Sequence, residues 1–122
     1  MSIYGVSLER LSTPINTALL GERFQRDASD MLARLGPLYL QTMPDLIVQL
    51  YAAQHARNRD QLWHVAHTLK GNASAISAES LEGLVVGLEA RAFSLAWRQV
   101  QQIVEQISAE NDRVITWLQN TL

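Results

Sequence analysis

From Leu32 to Leu122 the apolar residues return every three or four positions, and little interrupts them. Leu32, Leu35, Leu38, Tyr39, Met43, Leu46, Ile47, Leu50 and Tyr51 form one series, and Leu62, Val65, Ala66, Leu69, Ala73 and Ile76 a second. Leu81, Leu84, Val85, Leu88 and Ala92 make a third, and Leu95, Val100, Ile103, Val104, Ile107, Val114, Leu118 and Leu122 a fourth. Such spacing is the period of a helix with one buried face, whereas a half-buried strand alternates at every second residue, and that alternation never persists here. With Gly 6 and Pro 3 in 122 residues, breakers are few. The chain reads as all-α.

Capping residues divide it. Thr13-Pro14 predicts an N-cap and first turn for a helix over about 14–24, with Ile15, Ala18 and Leu19 on one face. Asp27 caps a long segment reaching Arg57. Within it, Pro37 and Pro44 each remove a donor and crowd the preceding turn, so a bend or break is expected near Gly36-Pro37 and irregularity near Met43. Asn58 caps the next helix, with Gln61 at N3 placed for a reciprocal bond, as far as about Ile76. Ser77 caps a segment from Ala78 to about Ala92, and Ser94 opens the last. The connections between the last three helices are a few residues long, which makes sequential helices antiparallel neighbours. The architecture expected is an up-and-down antiparallel four-helix bundle with an additional N-terminal helix. Residues 13–122 form the bundle domain, and 1–12 are a lead-in or linker in which Leu8 and Leu11 pack as one short turn.

Composition narrows the function. Apolar residues make up 48% of the chain and charged residues 18%, enough to bury one core and not two. Ten Lys and Arg against twelve Asp and Glu give a net charge of −2 with no basic run, so nucleic acid is a poor partner. The absence of cysteine excludes disulfides, zinc ribbons and thiol nucleophiles, and fits the cytoplasm. No signal-like start or long uncharged apolar run suggests secretion or membrane contact.

The chemistry concentrates between Asn58 and Leu81. On a wheel at about 100° per residue, Leu62, Val65, Ala66, Leu69, Ala73 and Ile76 face the core, while Trp63, His64, His67, Lys70, Gly71 and Ser74 fall opposite. His67 lies roughly 150° from the centre of the apolar stripe and should meet solvent in mid-helix. Gly71, four residues on, is its surface neighbour, and a mid-helix Gly costs about 1 kcal/mol relative to Ala. A bare patch beside an exposed imidazole lets another protein approach the ring. Lys70 supplies a cation able to reach a phosphoryl group on it.

An exposed histidine on a helix is most often just solvated, and it is the Lys and Gly that single out His67. His64 and His67 could share a metal, but no nearby carboxylate or cysteine completes a ligand set, and the Glu-x-x-His pairs of di-iron bundles are missing. His55 reads as a surface residue in a last helical turn. Trp63 either covers the bundle edge or contacts a partner, and Trp97 and Trp117 pack.

Ala66-His67-Thr68-Leu69-Lys70-Gly71, followed by the small residues Ala73, Ser74 and Ala78, then Ile76, Leu81 and Leu88-Glu89, resembles the histidine-containing phosphotransfer (HPt) domain of two-component phosphorelays. The similarity extends more weakly over about residues 27–120. Ser74 and Ser77 stand where the family often has Gly. The resemblance implies that His67 is the phosphoacceptor, exchanging a phosphoryl group with aspartates of response-regulator receiver domains, and that Lys70 stabilises the phosphoryl charge. Trp63, His64, Gly71 and Ser74 would border the partner. Neutral imidazole is a competent nucleophile at cellular pH without a dedicated base. No cofactor is expected in this chain, Mg²⁺ belonging to the receiver, and no Gly-rich nucleotide loop suggests ATP-dependent kinase activity. The domain is expected to be a cytoplasmic monomeric carrier, either free-standing or a C-terminal module acting in cis with a hybrid sensor histidine kinase, whose parent is free to be membrane-anchored. The competing reading is a non-catalytic adaptor that docks a partner through the Trp63–Ser74 face.

Overall fold

A computed structural model describes residues 13–122, together with the backbone of β1 (Ser2–Ile3) and β2 (Val6–Ser7), which pair antiparallel with Ser2 opposite Ser7 and Ile3 opposite Val6. Leu8 and Leu11 lie outside the described residues. The helices are α1 (Thr17–Phe24), α2 (Ala28–His55), α3 (Arg59–Ala75), α4 (Glu79–Ala90) and α5 (Trp97–Thr121). α3 packs between α2 and α4, α5 closes the bundle against the same two helices, and α1 lies on α2. This is an all-α up-and-down bundle with an extra N-terminal helix. Among the described residues no helix is long and apolar enough to cross a membrane.

The buried faces follow the sequence periods. Leu62, Val65, Ala66, Leu69 and Ala73 of α3 are buried, as are Leu81, Val85 and Leu88 of α4 and Val100, Val104, Ile107, Val114 and Leu118 of α5. The periodicity overreaches at three positions. Leu38, Tyr51 and Leu122 are 57%, 40% and 52% exposed, while Met31 and Ala53 are buried instead.

The segment after Asp27 is one long helix and not two abutting ones: α2 runs unbroken through Pro37 and Pro44, without a break near Gly36-Pro37. Both prolines are exposed, so water can bond the carbonyls that lose an amide donor. Leu32, Tyr39, Met43 and Leu50 anchor the other face, at about 1.5–3 kcal/mol per large buried side chain, and their burial outweighs a cost of about 3 kcal/mol per proline. Gly36 marks a close approach. A Cβ there would lie 2.7 Å from Leu122 Cδ1, so glycine lets the end of α5 close on α2.

A buried polar pair joins α2 to α5, where the Tyr39 hydroxyl donates to Asn111 Oδ1 at 2.6 Å. Burial, with the Glu110 charge adding to it, pushes the Tyr39 phenol far above its ordinary range and keeps it a donor. Arg59 ties the start of α3 to the α4–α5 corner, donating to the Ala92 carbonyl at 2.9 Å with its guanidinium 4.4 Å from the Trp97 ring centroid.

Several caps differ from expectation. Asn16, not Thr13, caps α1, accepting from Leu19 N–H at 3.0 Å, and Ile15 and Leu20 are buried whereas Ala18 is exposed. Asp27 and Asn58 cap α2 and α3 as expected. The reciprocal bond from Gln61 cannot form, because the Asn58 N–H is taken by the Ala53 carbonyl at 3.0 Å. α4 starts after Ala78 without a side-chain cap, and α5 starts after Ala96, whose N–H is bonded by Gln99. Ser94 instead closes a turn on the Arg91 carbonyl, and Ser77 is the left-handed residue that ends α3.

The ends of α1, α2 and α3 share one geometry. Gln25, Arg57 and Ser77 have φ of 51°, 52° and 59°. Each N–H bonds the carbonyl three residues back, and the next N–H reaches five back, the 5→2 and 6→1 pair of a Schellman motif. Glycine usually fills that position, since a Cβ in the left-handed region costs about 1–2 kcal/mol. Arg57→Gly should therefore raise stability by about 0.5–1 kcal/mol in urea unfolding, with the slope against urea unchanged.

Candidate functional site

The buried stripe of α3 turns the opposite face outward. Two turns of it carry His67, whose side chain is 56% exposed, then Lys70 and Gly71. A Cβ built on Gly71 meets nothing within 4 Å. It is therefore not a packing glycine, and the surface beyond the imidazole is open.

α4 contributes the residue that organises this face. His67 Nδ1 lies 2.9 Å from Glu89 Oε2, and Lys70 Nζ donates to Glu89 Oε1 at 2.8 Å, so one carboxylate spans both side chains. Glu89 is only 16% exposed. The Lys70 bond holds its carboxyl below the usual glutamate range, partial burial works the other way, and the His67 bond adds to the lowering. An ionised carboxylate only accepts hydrogen bonds, so the Nδ1 that faces it carries a proton, and in the neutral ring the Nε2 lone pair is free. The 56% exposure of the side chain leaves the ring open to solvent beyond that bond.

The remaining predicted residues border this group. The Trp63 indole is stacked on the His67 ring, with centroids 5.0 Å apart and planes 8° from parallel, and it meets His64 edge-on. Ser74, one turn beyond Gly71, is engaged by α1, since Arg23 donates to its carbonyl at 2.8 Å and to its hydroxyl at 3.4 Å. His55 ends α2, exposed and apart from the group.

Sequence reasoning missed the roles of Glu89 and Arg23. A signal for Glu89 existed in the short α3–α4 turn: His67 lies ten residues before Ser77 and Glu89 twelve after it, so an antiparallel hairpin brings them level. No comparable signal exists for Arg23, which reaches Ser74 across 51 positions in sequence.

The site is thus an exposed, carboxylate-bonded histidine on a central helix of an antiparallel bundle. Over residues 37–117, well over half of the chain, the sequence matches the family model described as Hpt domain, and the chain belongs to that family. It is thus a histidine phosphotransfer domain of phosphorelays, a family that works with receiver domains. No curated protein and no solved structure gives a match.

The lowered Glu89 carboxyl carries a pH dependence. Because its folded-state pKa lies below the unfolded one, the stabilisation is present above the ordinary glutamate range and is lost as pH falls through the folded value. The melting temperature should exceed that of Glu89→Gln near pH 7, and the gap should shrink once pH drops below about 4. A gap constant with pH would show that the Lys70–Glu89–His67 bridge contributes nothing to the fold.

Proposed function

We propose that His67 takes a phosphoryl group from a phospho-aspartate on one receiver domain and passes it to an aspartate on another. The observation that carries this reading is the Nδ1–Glu89 bond, which leaves Nε2 free on an open surface beside Gly71. Nε2 forms the bond to phosphorus as the bond from phosphorus to the aspartyl oxygen breaks, and the carboxylate leaves with the electron pair. The reverse sequence loads the second receiver. Such transfers depend on alignment and charge stabilisation more than on covalent help, so no base beyond the tethered imidazole is needed.

Lys70 has three N–H donors and gives one to Glu89, leaving others for phosphoryl oxygens. Mg²⁺ and the accepting aspartate come with the receiver. Gly71 admits its surface, with His64 and Ser74 at the margin, and a hybrid sensor kinase carrying such a receiver is a natural donor.

The test is transfer from a phosphorylated receiver, followed by mapping of the acid-labile label. His67→Gln should abolish labelling, and Lys70→Ala should slow transfer while leaving the fold intact. Label on His55 or His64 would overturn the assignment of His67, whereas undiminished signalling by His67→Gln would favour the adaptor reading. Gly71→Gln separates function from stability: an exposed mid-helix Gly replaced by a good helix former should leave stability level or up to about 1 kcal/mol higher. Transfer from the receiver should nevertheless weaken. Unchanged transfer would remove Gly71 from the docking surface.

A further inference from the structure

The His67 imidazole is constrained in two directions at once. Its Nδ1 is bonded to Glu89, and one ring face lies flat on the Trp63 indole. A single hydrogen bond leaves a ring able to swing about the bonded atom, changing where its other nitrogen points. A flat surface against the ring face removes that motion.

Trp63 is suited to this role because it is itself held. It precedes His67 by four residues, the spacing that stacks side chains on one helix face, and it is half-buried against the bundle core. The indole face turned to His67 is covered and is not offered to a partner.

We propose that Trp63 is a positioning residue for His67: the indole and Glu89 together fix the ring plane so that the Nε2 lone pair is aimed outward at an incoming phosphorus. The proposal rests on His67 as phosphoacceptor, and it assigns Trp63 a role different from docking.

Phosphoramidate separates the two roles, since this small donor has no docking surface. Nε2 forms the bond to phosphorus, the phosphorus–nitrogen bond of the zwitterionic donor breaks with its electron pair, and ammonia leaves. Trp63→Met and Trp63→Leu keep apolar bulk without a flat face, and each should slow labelling by phosphoramidate about three- to tenfold. Trp63→Phe should restore most of the rate. With a phosphorylated receiver as donor, the limiting rate should fall in Trp63→Met while the receiver concentration for half-maximal rate holds. Unchanged phosphoramidate rates in both variants, with a raised half-maximal receiver concentration, would overturn the proposal and make Trp63 a docking contact. A loss that Trp63→Phe fails to rescue would also overturn it. Label absent from His67 in the unaltered protein would instead defeat the phosphoacceptor reading itself.

Discussion

Burial of one stripe of α3 between α2 and α4 governs the rest of the molecule. Leu62, Ala66, Leu69 and Ala73 are fully buried and Val65 nearly so, leaving the helix no freedom to roll. A rotation by one residue would lift leucines into water, at about 1.5–3 kcal/mol each, and press Lys70 toward the apolar interior. His67 is exposed because the residues opposite it on the wheel cannot be. The face that carries His67 is thus positioned by side chains on the opposite side of the helix.

On that fixed face the charges are arranged economically. One partly buried carboxylate, Glu89, bridges the imidazole and the ammonium, so a single residue of α4 selects the ring tautomer and holds the cation one turn away. The short turn around Ser77 makes this possible by setting α3 and α4 side by side. That turn is itself held by α1, where the Asn16 N–H bonds the Ser77 carbonyl at 2.9 Å and Arg23 covers the end of α3 at Ser74. The N-terminal helix, which precedes the region matched by the family model, therefore supports the hairpin that carries the site.

The departures from local rules share one explanation. Two prolines sit inside α2 and three non-glycine residues adopt left-handed conformations, each carrying a local cost of about 1–3 kcal/mol. Each is borne where long apolar faces are buried nearby, so tertiary packing overrides propensity. The misplaced starts of α4 and α5 have the same origin. Ser77 and Ser94 look like N-caps in sequence, but their conformations are set by the ends of the preceding helices.

The sequence by itself determined the all-α class, the buried faces, the exposure of His67 and the openness around Gly71. These follow from a period of 3.6 residues and from the composition of one helix, both local properties. Cross-helix partners were decided only by the tertiary structure: Glu89 beneath His67 and Lys70, Arg23 on Ser74, and Tyr39 on Asn111. Such pairs depend on how far one helix slides along another and on which rotamers the packed core leaves open. Even the Trp63–His67 stack, a pair four residues apart and so within reach of sequence reasoning, was settled by tertiary packing, because the core against which Trp63 rests selects the indole orientation that faces the imidazole.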